Sequence, residues 1–313
     1  MRKAFIRTLC ELAAADDRIV LLTGDLGYMV MEPFRERFPA RFINVGVAEQ
    51  NMIGIASGMA DAGFLPYVYS IAPFASLRPF EFIRNGPVLH NLPVRIVGMG
   101  MGFDYGHAGP SHYATEDIAV LRTLAGLEIV IPADSCQAAA ALRSTANAAG
   151  PVYYSLSRDD RSIVPGLDGR FARGRIQIVR SGGDLAGDPA IVAMGSTAME
   201  TLAAADQLAS HGIKATVAVV SGFNPDPAED IRALLSNFRY AMTVEAQAVS
   251  GGLGAFVGSV IASEDLRCRL RVMAISTSPD GSSGSQADRF RKYGLDRDSL
   301  VRSALEFTGS SHR

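Results

Sequence analysis

Cysteine is scarce in this chain. Its 313 residues hold three, Cys10, Cys136 and Cys268, and an odd number at wide spacing argues against both a disulfide framework and a zinc site. Reduced, mostly buried thiols are the expectation. Net charge is also lacking. A formal value of -2 gives no electrostatic reason to expect nucleic acid or an anionic membrane surface as partner. No run approaches the roughly 20 apolar residues needed to cross a bilayer. The N-terminal stretch has charges scattered through it and lacks the basic start, unbroken apolar run and small-residue cleavage site of a signal peptide. Cytoplasmic residence is the expectation. The absence of Gly-x-x-x-x-Gly-Lys-Ser/Thr disfavours a P-loop NTPase, and there is no Gly-x-Ser-x-Gly elbow.

What the chain has in quantity is apolar material, 48% against 20% charged residues, enough for real cores. Its length suits two domains. Short apolar runs at Ile19–Leu22, Leu65–Tyr69, Val94–Val97, Leu127–Ile131 and Val152–Leu156 predict buried strands. Between them, Arg2–Ala15, Gln50–Ala62, Asp117–Leu124 and Ser135–Ala149 have helical pattern. Continuous apolar strands alternating with helices imply a parallel sheet covered on both faces.

The glycine-rich stretch 162–188 breaks this rhythm and reads as an interdomain connection, with a short strand at Ile176–Val179. It separates a first domain, 1–161, from a second, 189–313. In the second, strands are expected at Ala190–Met194, Lys214–Val220, Ala241–Val244 and Arg271–Ser276. Helices are expected at Ser196–Ser210, Pro227–Phe238, Leu253–Ser263 and from about Asp298. The tail Gly309–Arg313 is expected to fray. The fold class is therefore α/β, with two domains, each a mainly parallel sheet flanked by helices.

Two glycine clusters suggest sites only weakly. Gly98-x-Gly100-x-Gly102 has the wrong spacing for a dinucleotide fingerprint and reads as flexible backbone leading into a loop. Gly251-Gly252-Leu253-Gly254 precedes a helix and reads as a tight turn with close helix packing. More informative is the segment Asn44-Val-Gly-Val-Ala-Glu49-Gln50, which runs into a helix of small and apolar residues. Read locally, Glu49 is a favourable negative charge at a helix N-terminus.

In company the segment says more. Val-Ala-Glu49-Gln50 followed by Gly-Ile-Ala-x-Gly-Met-Ala resembles the glutamate segment of transketolases, deoxyxylulose-phosphate synthases and the β subunits of 2-oxo-acid decarboxylating complexes. Further motifs resemble the same family, in order. They are the aspartate turn Thr23-Gly24-Asp25-Leu26, the aromatic run Phe74, Phe80, Phe82, the loop Gly109-Pro110-Ser111-His112 and the strand end Ser155-Leu156-Ser157-Arg158. Arg2 stands at the family's distance before Asp25. Gly251-Gly252-Leu253-Gly254 and Lys292-Tyr293-Gly294-Leu295 fit its C-terminal domain, so the likeness spans essentially the whole chain.

The resemblance implies a thiamine-diphosphate enzyme, and the chemistry fits these residue types. The cofactor must lose a carbon-bound proton, and Glu49, hydrogen-bonded to its aminopyrimidine, would activate it. A carboxyl in an apolar setting is biased toward the neutral form that donates such a bond. Phe74 and Phe80 would wall the pyrimidine, and Asp25 would lie beside it. His112 would assist at the donor oxygen, with His107 in the same loop as a further substrate contact. Arg2 and Arg158 would grip an anionic group through their planar forks.

The family's magnesium–diphosphate motif, Gly-Asp-Gly with a downstream asparagine, is absent. The expectation is that a separate diphosphate-binding N-terminal subunit holds the magnesium and completes the site, as a two-plus-two heterotetramer. The activity implied is transfer of a two-carbon ketol unit from a ketose donor to an aldehyde or aldose acceptor, with sugars or sugar phosphates as substrates. A decarboxylating β subunit or a deoxyxylulose-phosphate-synthase-like condensation is the alternative, and a non-catalytic regulatory subunit is the rival of another class. Departures bear on the substrate: Gly100 stands where transketolases have a histidine, Ala108 where a loop acid is expected, and Met29 where a serine helps hold the acceptor phosphate. The usual pentose phosphates are therefore in doubt.

Overall fold

The computed structural model describes residues 1–183 and 187–309. Residues 184–186 of the expected connection and 310–313 of the expected frayed tail lie outside the described residues.

The first sheet carries the strands β1 (Ile19–Thr23), β2 (Phe42–Asn44), β3 (Leu65–Ile71), β4 (Arg95–Met99), β5 (Glu128–Val130) and β6 (Val152–Leu156). They run in the order β5-β6-β4-β3-β1-β2 and are all parallel. Every residue of β1, β4 and β6 is buried, as a sheet covered on both faces requires. The covering helices include α1 (Arg2–Ala15), α2 (Glu32–Arg37), α3 (Glu49–Asp61), α4 (Ala72–Ser76), α5 (Phe80–Ile83), α6 (Asp117–Leu121) and α7 (Ser135–Thr145). Arg95 in β4 is fully buried and donates to the carbonyls of Gly150 at 2.8 Å and Ala146 at 3.0 Å. It thereby satisfies carbonyls just beyond the end of α7 that would otherwise be orphaned.

The second sheet has the order β12-β11-β8-β9-β7, with β7 (Ile176–Arg180), β8 (Ala190–Met194), β9 (Thr216–Val220), β11 (Tyr240–Ala248) and β12 (Arg269–Ile275). Only β7 is antiparallel. Helices α8 (Ala198–Ser210), α9 (Ala228–Leu235), α10 (Leu253–Ser263), α11 (Gln286–Tyr293) and α12 (Arg297–Thr308) pack around it. The two residues Gly222–Phe223, β10, leave this half and pair antiparallel with β5, extending the first sheet. Arg122 fastens the same seam: its guanidinium lies 4.3 Å from the Phe223 ring centroid and donates to the Gly251 carbonyl at 2.6 Å.

The glycines of the Gly98 cluster are places of close approach rather than slack. A Cβ at Gly98, Gly100 or Gly102 would come within 2.3, 2.2 and 2.7 Å of Tyr153, Tyr105 and Ala246 respectively. At Gly252 a Cβ would lie 2.1 Å from Glu245 Oε2. Glu245 accepts from the backbone N–H groups of Leu253 and Gly254 at 2.6 and 2.7 Å, so the chain's own carboxylate fills the start of α10. Cys10 and Cys268 are buried and Cys136 is exposed, all free. Among the described residues no helix is long and apolar enough to cross a membrane.

Candidate active site at the strand ends

The carboxyl ends of β1, β3, β4 and β6 lie side by side, the position where open α/β sheets bind ligands. Glu49 opens α3 and is only 1% exposed. Its carboxylate is bonded by side chains from other elements. Ser70, near the end of β3, donates to Oε1 at 3.0 Å, and Arg78 Nη1 donates to Oε2 at 2.6 Å. The purely apolar setting expected for Glu49 is thus not what surrounds it. Gly24 approaches from the end of β1, where a Cβ would sit 3.6 Å from Oε1.

Phe74, in α4, links this carboxylate to the next group. The Arg78 guanidinium carbon lies 4.2 Å from the Phe74 ring centroid, and His112 meets the ring edge-on at 5.0 Å. His112 Nδ1 is 2.9 Å from Ser111 Oγ, and its ring centroid is 6.2 Å from that of Tyr105. Arg158 also lies over Tyr105, its guanidinium carbon 4.3 Å from the ring centroid. Burial raises the Tyr105 phenol above its ordinary value, while the positive charges of Arg158 and Arg2 pull it down. The Nε atoms of Arg2 and Arg158 are both buried without a hydrogen-bond partner.

Asp104 lies beneath this cluster. It accepts from the Arg158 backbone N–H at 2.7 Å and from the Gln286 side chain of α11, tying the arginine to the second domain. Burial pushes its carboxyl up to about 6, against the pull of the Arg158 bond.

The structure therefore links Glu49, Phe74, His112 and Arg158 through contacts, with Arg2 near enough for its charge to act on Tyr105. Three predicted residues stand apart from its contacts. Phe80 opens α5 and packs against the first core. His107 is exposed in its loop. Asp25 is exposed with φ 58°, and its carboxylate accepts from Asn44 at 2.9 Å and Tyr28 at 3.1 Å. Those bonds, Asn44 first, hold it below the usual carboxylate range. Sequence reasoning missed Arg78, Tyr105 and Asp104. Arg78 had a readable sign: it stands four residues after Phe74 at the end of a helical turn, the spacing that places two side chains on one face.

Comparison with known proteins identifies the two domains. Residues 1–161 match the family model described as transketolase, pyrimidine binding domain, and residues 174–300 match transketolase, C-terminal domain. A subunit of the apulose-4-phosphate transketolase of Phocaeicola vulgatus is 33% identical over 313 residues, covering 98% of this chain and 96% of the relative. A 6-deoxy-6-sulfo-D-fructose transketolase subunit of a Clostridium species is 32% identical, covering 98% and 94%. A solved split-gene transketolase, described as an inactive β4 tetramer, superposes with TM-score 0.86 at 31% identity, covering 99% of this chain and 98% of that one. The chain belongs to the transketolase family. Within it, the chain is one subunit of a two-chain enzyme, a ketol transferase.

The residues fit the cofactor that transketolases use. A buried carboxylate faces a flat aromatic wall, and the gap between them already holds a planar, nitrogen-rich group, the Arg78 guanidinium.

Proposed function

We propose that this chain supplies the pyrimidine half of a thiamine-diphosphate site, completed by a separate diphosphate- and magnesium-binding subunit in a two-plus-two assembly. The observation that carries the reading is Glu49. A carboxylate at the first turn of a helix would ordinarily face solvent or cap the helix, yet this one is 1% exposed and turned toward Phe74 and its neighbours.

Thiamine diphosphate supplies a carbon nucleophile once its ring proton is removed. Glu49 would hold the aminopyrimidine by a hydrogen bond that favours loss of this proton, with Ser70 steadying its other oxygen. Phe74 gives the ring a flat apolar wall. His112, fixed between Phe74 and Tyr105, donates to the donor oxygen as charge develops there. Arg158 and Arg2 offer unspent N–H groups to an anionic substrate group. Phe80, His107 and Asp25 support the site from outside its contacts. The named subunits above act on a sugar phosphate and a sulfosugar, both anionic, which agrees with a guanidinium pair and with the loss of the pentose-phosphate residues at Met29, Gly100 and Ala108.

The test is a turnover assay on the two-chain enzyme with an anionic ketose donor and glycolaldehyde. Two-carbon transfer without carbon dioxide is expected. Carbon dioxide release from a 2-oxo acid, with no transfer from ketoses, would move the chain to the decarboxylating branch.

A further inference from the structure

Arg78 makes two contacts, and both are ones the cofactor ring needs. Its guanidinium is planar, like an aminopyrimidine. It lies over the Phe74 face at 4.2 Å and donates to Glu49 Oε2 at 2.6 Å. No second ring can stack on that face while the guanidinium remains, and a ring bonding that oxygen would have to share it. The arrangement is also built to release. Arg78 lies two residues after the end of α4, its backbone N–H bonds the Pro73 carbonyl at 3.3 Å, and Pro79 fixes the chain after it. The side chain, by contrast, is 41% exposed, so the head can swing into water while the stem stays anchored.

We propose that Arg78 is a built-in occupant of the pyrimidine subsite, which keeps the buried Glu49 partnered in the cofactor-free chain and must withdraw before the cofactor ring can enter. The inference rests on the reading of Glu49 and Phe74 as that subsite. It gives the deeply buried carboxylate a partner of its own: an unpaired buried charge is costly, and a guanidinium is the side chain best suited to cover it. It also makes Arg78 a competitor whose removal acts in opposite directions on two observables. The free chain loses an ion pair and becomes less stable. The ligand loses a rival and binds more tightly. A residue that merely shapes the wall would lower both.

The experiment uses the full chain and two probes. One is 4-amino-5-hydroxymethyl-2-methylpyrimidine, a neutral fragment with no diphosphate and hence no need of the second subunit. The other is thiamine diphosphate itself. Binding is followed by ligand-observed NMR and folding by circular dichroism and thermal melting. Arg78→Ala is expected to bind the fragment on the order of tenfold more tightly than wild type while melting at lower temperature. Arg78→Met, which keeps the apolar stem, serves if the alanine variant does not fold. In a Glu49→Gln background the gain from removing Arg78 should be smaller, because one of the two contested contacts is the bond to that carboxylate. Equal or weaker binding by the Arg78 variants overturns the proposal and makes the guanidinium part of the wall. If neither wild type nor variants bind the fragment or thiamine diphosphate, the pyrimidine reading fails and this proposal fails with it.

Discussion

At Glu49 the chain satisfies its own polar atoms: Ser70 takes one carboxylate oxygen and Arg78 the other. A few side chains away, past Phe74, His112 and Tyr105, the Nε atoms of Arg2 and Arg158 are buried with no acceptor. Both groups stand at the carboxyl ends of one parallel sheet. The first is closed on itself and admits a ligand only by exchange. The second has donors already desolvated and unspent, and gains by adding an anion. A buried donor without a partner is a standing cost, and a site that binds an anionic substrate group is a physical reason to keep it.

The largest effect should separate the subunit from the assembly. Mixed with thiamine diphosphate, magnesium and a ketose donor, this chain alone should show no turnover, and addition of the diphosphate-binding subunit should restore it. Robust turnover by the verified single chain would remove the need for a second half. Next in size is the guanidinium pair. Arg158→Ala should raise KM for a phosphorylated acceptor by at least about tenfold, since a charge-assisted bond contributes on the order of 1.5–3 kcal/mol. Glycolaldehyde, which is neutral, should be little affected. Equal losses on both acceptors would mean that Arg158 holds the loop, through Asp104 and Tyr105, rather than the substrate.

Asp104, bonded to the Arg158 backbone, adds a pH dependence. Burial pushes Asp104 and Asp117 up to about 6 and Glu245 up to about 7. A carboxyl whose folded value exceeds its unfolded one keeps its proton longer when folded. Its contribution to stability is full below the unfolded value, near 4, and is lost as pH rises through the folded value. Asp16 and Asp25, held low by hydrogen bonds from Arg18 and Asn44 respectively, act only below about 4. Denaturant unfolding should therefore show stability falling between about pH 4 and 7, by at least about 1 kcal/mol. A rise across that window would contradict the burial of these acids. Smallest of all should be Asp25→Ala, which touches neither group. It should leave the melting temperature nearly unchanged and change cofactor affinity by less than about tenfold. A larger loss of affinity, read by calorimetry on the assembled enzyme, would bring Asp25 into the cofactor site.

Much of the fold was legible because buried parallel strands write themselves as unbroken apolar runs. Ile19–Leu22 and Val152–Leu156 became β1 and β6, and the strand expected inside the connection, at Ile176–Val179, became β7. The elements missed are short or set by their surroundings. Phe42–Asn44 and Gly222–Phe223 have three and two residues, too few for any period. The second is a strand only because β5 offers it an edge. Helix α11 is strongly polar, with a capping box from Ser285 and Asp288 and few apolar residues to mark a buried face. The site followed the same rule. Glu49, Phe74, His112 and Arg158 stand in local motifs and were readable. Arg78, Tyr105 and Asp104 matter through contacts across the fold, and apart from the Phe74–Arg78 spacing no local pattern marks them.

The central claim is that Glu49 is a proton-handling group and not a helix cap. It is tested most directly by exchange of the cofactor's acidic ring proton for deuterium on the assembled two-chain enzyme, wild type against Glu49→Gln. The substitution keeps shape and helix position and removes the ionisable oxygen. An exchange rate lower by about 10²–10⁴-fold, with unchanged circular dichroism, is the predicted result; an unchanged rate would contradict the account and return Glu49 to a structural role at the start of α3.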